Sequence, residues 1–131
     1  MTAVYAKTVS ETDIVMFAGI SGDDNPVHLN QEFASGTQFE GRIAHGMLTA
    51  SFISTVLGTK LPGPGCVYIS QSLRFRAPVR AGETVVARAT ISRVDRERGR
   101  VAVETVCTVG ENAVLDGEAV IAVPSRPESA S

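Results

Sequence analysis

Ser21–Leu57 reads SGDDNPVHLNQEFASGTQFEGRIAHGMLTASFISTVL, and its two ends have opposite character. The first part, Gly22-Asp23-Asp24-Asn25-Pro26-Val27-His28, gathers two carboxylates, an amide and an imidazole within seven residues. The last part, opened by His45-Gly46-Met47-Leu48, is apolar on nearly every side of a helical wheel. Polar, reactive side chains on an irregular loop therefore precede a helix that must be buried. That is the layout of an active-site loop leaning over the N-terminal end of a core helix.

In the expected helix Gly46–Leu57, the side chains of Met47, Leu48, Ala50, Phe52, Ile53, Val56 and Leu57 cover most of the circumference. Such a helix is about 18 Å long at 1.5 Å per residue. Apolar all round means surrounded by protein, so Thr49, Ser51, Ser54 and Thr55 need partners or a cavity to face. Gly58 reads as the stop signal. Upstream, residues 4–9 suit a short strand. Ser10-Glu11-Thr12-Asp13 then suits a helix start, with Ser10 as N-cap and an acid three residues later. Ile14, Phe17, Ala18 and Ser21 share one face, which predicts a helix over Glu11–Ile20 ended by Gly22. Between the two helices Pro26, Gly36 and Gly41 break any regular pattern, apart from one helical turn over Gln31–Ser35. A connection of this length is more often functional than accidental.

Downstream of the turn-rich Leu61-Pro62-Gly63-Pro64-Gly65 the pattern alternates. Val67, Ile69, Gln71, Leu73 and Phe75 share a face, followed by Val85, Ala87, Ala89 and Ile91. Val101, Val103, Thr105, Cys107 and Val109 come next, then Ala113, Leu115, Ala119 and Ile121. Asp95–Gly99 and Gly110–Asn112 are short enough for hairpins. Strands of about ten residues span over 30 Å at ~3.3 Å per residue, so they must curl. The pattern predicts an α+β fold, one long antiparallel sheet wrapped around one buried helix. Residues 1–125 form its single domain, and Arg126–Ser131 a loose polar tail. The open sheet edges invite a second copy to continue the sheet, which predicts a homodimer or an assembly of dimers.

Composition narrows the classes. At 131 residues, 44% hydrophobic and 20% charged, the chain suits one soluble domain with a real core. A formal net charge of -2 gives no electrostatic reason to expect nucleic acid or an anionic membrane as partner. No apolar run approaches the ~20 residues that span a bilayer, and the N-terminus lacks the apolar core of a signal peptide. Cys66 and Cys107 form no CxxC and read as small core residues of a reduced protein, so the expected location is cytoplasmic.

The chain's two histidines, His28 and His45, both lie in the opening stretch. An aspartate and a histidine can together hold a water and shuttle its protons. The alternative is that Asp23 or Asp24 caps a helical turn after Pro26, and with two aspartates both can hold. Gly46, opening a buried helix, offers an N–H at the positive end of the helix dipole. A carbonyl oxygen gaining charge would be received there. The same residue fits equally a helix start that needs close backbone approach. Asp23, His28 and His45 could also form a two-histidine, one-carboxylate iron site. No ligand spacing supports this, so no metal is expected. Nucleophile elbow, phosphate loop and GxGxxG are all lacking.

Asp23-Asp24-Asn25-Pro26-Val27-His28, followed by Ile43-Ala44-His45-Gly46-Met47-Leu48, resembles the D-x-N-P-x-H loop and H-G-M helix start of the MaoC-like family. The match is to its short (R)-specific enoyl-CoA hydratases. GPGCVYISQSLRF over Gly63–Phe75 is similar to that family's strand after the helix. The resemblance implies a hot-dog fold and reversible syn hydration of a trans-2-enoyl-CoA to an (R)-3-hydroxyacyl-CoA. Coenzyme A would be part of the substrate and there would be no separate cofactor. Carried over by position, Asp23 and His28 activate the water, the Gly46 N–H receives the thioester oxygen, Ser54 orients the aspartate and Asn25 shapes the loop. Spacing to Asn25-Pro26 selects Asp23 over Asp24, and burial against the helix would make it the stronger base. Phe52, Ser54 and Leu57 are candidates for the acyl-pocket floor. Lys60, Arg74, Arg76 and Arg80 are candidates for the coenzyme A phosphates, and are equally explained as solvated sheet surface. The alternatives are a thioesterase on the same fold and a non-catalytic acyl-thioester-binding subunit.

Overall fold

A computed structural model describes residues 1–124 of the chain, so the expected tail Arg126–Ser131 lies outside the described residues. Strand β1 (Thr2–Thr8) leads into helices α1 (Glu11–Ser21), α2 (Pro26–Leu29), α3 (Gln31–Ser35) and α4 (Gly46–Thr59). Strands β2 (Val67–Gln71), β3 (Arg74–Phe75), β4 (Thr84–Asp95), β5 (Arg100–Val109) and β6 (Asn112–Ala122) follow. All strand pairs are antiparallel, in the order β1-β4-β5-β6-β2, with the short β3 also on β6. The sheet curls around α4, which gives the expected α+β hot-dog arrangement.

The core lies between helix and sheet. Leu48, Phe52, Ile53, Val56 and Leu57 of α4 meet Val85, Ala87 and Ala89 of β4, Val103 and Cys107 of β5, and Leu115, Ala119 and Ile121 of β6. The small alanines of the inner face let the helix approach closely. Each large side chain so buried contributes about 1.5–3 kcal/mol of hydrophobic stabilisation. Irregularities at Ile91/Arg93, Cys107/Thr108 and Tyr68/Ser70 bend the long strands around the helix.

Several sequence expectations need correction. Strand β1 begins at Thr2, ahead of the expected residue 4. Helix α4 runs through Gly58 to Thr59, because glycine stops a helix only where the backbone turns left-handed, and here it stays helical. The helix is also not surrounded: Met47, Ser51 and Ser54 are exposed along one side of it. Ser51 and Thr55 satisfy their hydroxyls on the carbonyls of Leu48 and Ser51. The expected continuous strand over Val67–Phe75 breaks at Ser72-Leu73, and Val67–Ser70 are exposed on both faces at the sheet edge. Ala113 faces outward and Val114 inward, because the register slips by one residue opposite Cys107/Thr108.

Helix α1 forms as its sequence predicts. The Ser10 hydroxyl accepts from the Asp13 N–H at 3.0 Å, and the Asp13 carboxylate accepts from the Ser10 N–H at 2.9 Å. Gly22 closes the helix at φ 79°, with its N–H on the Ala18 carbonyl. This closure delivers the chain to Asp23. No helix among the described residues is long and apolar enough to cross a membrane.

Candidate active site

The loop between α1 and α4 is built from local side-chain-to-backbone bonds. Asp23 Oδ1 accepts from the Asn25 N–H at 3.3 Å, and Asn25 Oδ1 accepts from the Val27 N–H at 3.1 Å. Asn25, rather than either aspartate, is therefore the N-cap of α2, with Pro26 as its first residue. An amide at this position caps without adding a third carboxylate, and it leaves Asp23 exposed at the cavity mouth. The aspartate is thus not buried against the helix as expected.

His28 is buried on α2. Its Nδ1 donates to the Ile43 carbonyl at 2.8 Å, which leaves Nε2 as the acceptor nitrogen. The Arg42 Nε donates to the His28 carbonyl at 2.7 Å, while its terminal NH1 pairs with Glu11 at 2.7 Å. The His28 and His45 rings stack at 3.8 Å with 27° between their planes, and Phe17 lies 4.9 Å beyond His45. Asp23, His28 and His45 each bring one donor atom within 4.8 Å of the others. As a metal site this set is poor. His45 Nε2 is committed to the Asp23 carbonyl at 2.8 Å, and stacked rings do not converge their nitrogens on one ion.

Gly46 opens α4. The Leu48 and Thr49 N–H groups turn back onto the His45 carbonyl, and the N–H groups of Gly46 and Met47 have no acceptor among the described residues. The Phe75 ring lies against Gly46 so closely that a Cβ there would stand 2.6 Å from its Cε1. Close approach thus favours the glycine, which lines a cavity of about 460 Å³. Asp23, Phe39, Ile43, His45, Gly46, Met47, Thr49, Phe75 and Arg76 are among its walls, with Pro78, Val79, Val114 and Leu115. His28 is not in that lining and stands behind Asp23 and His45.

Other expected site residues fall elsewhere. Phe52 and Leu57 point into the core, 4% and 1% exposed, and line neither this cavity nor its neighbour. They sit on the sheet-facing side of α4, a distinction that an apolar-all-round pattern hides. Ser54 is exposed and makes no hydrogen bond with Asp23. It stands eight residues beyond Gly46, about 12 Å along the helix, in a neighbouring apolar groove. Phe17, Met47, Ala50, Ser51, Tyr68, Ile69 and Leu73 line that groove with it.

Of the basic candidates, Arg80 is spent on the Phe39 and Arg42 carbonyls and Lys60 on the Val4 carbonyl. Arg76 lines the cavity and pairs with Asp116 at 2.9 Å. Arg74 is exposed without an ion pair among the described residues. Burial pushes the Cys107 thiol up to about 12, so it stays protonated as a core residue. Sequence reasoning missed Phe75, Met47 and Arg42. Phe75 read as one more alternating strand residue, and nothing local marks a carbonyl-binding arginine.

A family profile described as MaoC like domain matches residues 1–113. The chain is 54% identical over 125 residues to an (R)-specific enoyl-CoA hydratase of Rhodospirillum rubrum, covering 95% of this chain and 87% of that one. It is 50% identical over 129 residues to a 3-hydroxybutyryl-CoA dehydratase of Methylorubrum extorquens, covering 98% and 82%. The solved structure of an (R)-hydratase from A. caviae involved in PHA biosynthesis superposes with a TM-score of 0.91 at 37% identity, over 95% of each chain.

Proposed function

The chain belongs to the MaoC-like domain family, and from that premise we propose that it is an (R)-specific enoyl-CoA hydratase. It is a hydro-lyase that adds water reversibly and syn across a short- to medium-chain trans-2-enoyl-CoA. Two observations support the site assignment: Asp23, His28 and His45 cluster within 4.8 Å by their ligand atoms, and Asp23, His45 and Gly46 line one cavity.

In this reading a water lies between the Asp23 carboxylate and His28 Nε2. Its oxygen forms the new bond to C3 while one O–H bond breaks and the proton passes to that pair. The π electrons of the C2–C3 bond move toward the thioester, whose oxygen gains charge at the Gly46 N–H. The pair returns a proton to C2 on the same face, which makes the addition syn. His28 keeps Nε2 as an acceptor because Nδ1 is held by Ile43. Coenzyme A is part of the substrate, and no further cofactor takes part. Arg76, which lines the cavity, is the cation best placed for its phosphates; Arg74 lies outside that lining, and Lys60 and Arg80 are already engaged.

The groove beside Met47 and Ser54, continuous with the exposed β2 edge, suits a second copy of the chain, which would extend the sheet and cover Tyr68 and Ile69. Light scattering on the purified protein tests this, and a monomer at micromolar concentration rejects it.

Crotonyl-CoA tests the activity. Loss of the conjugated-thioester absorbance without free thiol, giving the (R)-alcohol, is the expected result. Thiol release would indicate a thioesterase, and no lasting change a binding subunit.

A further inference from the structure

His45 occupies a position that helix stability does not explain. It is the N-cap of α4, where Ser, Thr, Asp or Asn is preferred, and its side chain caps nothing. It is 2% exposed, and its Nδ1 is buried without a hydrogen-bond partner. An orphaned buried nitrogen on a residue that caps nothing is a cost with no local return. What the ring does instead is reach two other places. Its Nε2 donates to the backbone carbonyl of Asp23 at 2.8 Å, and one face lies 3.8 Å from the ring of His28.

The geometry points to His45 as a positioning residue for both reacting side chains, a role that rests on the hydratase reading. Its N–H ties Asp23, otherwise exposed on a loop, to the first turn of α4, where Gly46 also stands. Its ring face, backed by Phe17, sets the plane of His28, whose edge is already tied to Ile43. The two imidazoles therefore carry their hydrogens on opposite nitrogens: Nε2 in His45, facing a carbonyl, and Nδ1 in His28, facing another. This leaves His28 Nε2 as the acceptor on the water's side.

The test has two arms. Spectra of ¹⁵N-histidine in the unsubstituted protein contain only these two rings. One Nε2–H and one Nδ1–H tautomer are expected, and the same tautomer in both overturns the proposal whatever the enzyme's substrate. The second arm compares His45→Gln with His45→Met, which have similar length and differ in the donor. The glutamine amide N–H stands about where Nε2 stood, so kcat on crotonyl-CoA should stay within about tenfold of the parent. The methionine variant should lose about 10²-fold, the scale of a 1 Å misplacement, with KM little changed and the two melting temperatures alike. His45→Phe, which keeps the ring and loses the donor, should fall between them. Equal kcat in the glutamine and methionine variants, or losses that track melting temperature, would overturn it. A parent that hydrates no enoyl-CoA would instead remove the hydratase reading, which the tautomer arm does not depend on.

Discussion

Substituting Gly46 by alanine separates the two explanations of that glycine, because the structure sets the size of the collision. A Cβ at 46 would lie 2.6 Å from Phe75 Cε1, 2.8 Å from Cδ1 and 3.2 Å from Cζ. Carbon atoms rest at about 3.5–4.0 Å, so the ring edge or the helix start must withdraw by about 1 Å. Phe75 is 55% exposed and can swing outward, and alanine is favoured over glycine in a helix by up to ~1 kcal/mol. Stability should therefore change by no more than about 1 kcal/mol, a melting shift of roughly 2–5 °C at this size. Activity should respond far more, because displacement of this order at the thioester oxygen's donor costs about 10²-fold. The assay is kcat and KM for crotonyl-CoA hydration beside a thermal melt, on Gly46→Ala, Phe75→Leu and the double variant. Relieving the collision should restore about tenfold in the double variant relative to Gly46→Ala, each compared with its own baseline. A Gly46→Ala enzyme within about twofold of the parent would refute the reasoning, since the N–H could not then be acting at that spot.

Asp23→Asn should lower kcat by about 10²–10⁴-fold, the range for a lost general base. Its melting temperature should be unchanged, because the amide can still accept from Asn25 and His45 bonds only the backbone of residue 23. Asp13 is held below its ordinary carboxylate value of 3.8, first by the Ser10 backbone N–H and also by Lys7, against a smaller opposing effect of burial. A depressed folded value stabilises above the unfolded one and is lost as pH falls through it. Asp13→Asn should therefore be less stable than the parent at pH 7, and urea midpoints should converge below about pH 3.8. Gly117→Ala would put a Cβ 1.8 Å from the Ser72 carbonyl oxygen, which neither backbone can yield. A loss above ~4 kcal/mol or no soluble protein is expected, and a parental denaturation midpoint would contradict it.

What the sequence made legible was periodic or local. The capping box of α1, the closing Gly22, the turn at Gln31–Ser35 and the alternation of β4 and β5 each depend on neighbours within four residues, and each appears in the structure. The misses depend on tertiary geometry. The shift at Val114 that turns Ala113 outward is a sheet-bending irregularity, and a period-2 pattern with one extra residue reads as an unbroken strand. The side of α4 on which Phe52 and Leu57 fall depends on where the sheet sits, and an all-apolar helix carries no such mark. The loop residues Asp23, Asn25 and His28 were visible by type and spacing. That His28 stands behind the cavity wall, and that Ser54 does not reach Asp23, was not.

An irregular loop that must hold two side chains steady needs its backbone groups satisfied without a ladder. Here several of the partners are side chains that bind carbonyls, two from the loop's own later residues and one from beyond it. Arg42 holds the carbonyl of His28, His45 that of Asp23, and Arg80 those of Phe39 and Arg42. Arg42 is tied in turn to Glu11 on α1, and Glu83 accepts from the Arg80 N–H, so both guanidinium anchors are themselves held. Fixing the chain through carbonyls leaves Asp23 Oδ2 and His28 Nε2 free of protein partners among the described residues, while Asp23 Oδ1 accepts only from the Asn25 N–H. The same economy explains why basic residues near the site read ambiguously in sequence. A guanidinium that organises a loop and one that meets a phosphate have the same composition, and only the carbonyls it reaches tell them apart.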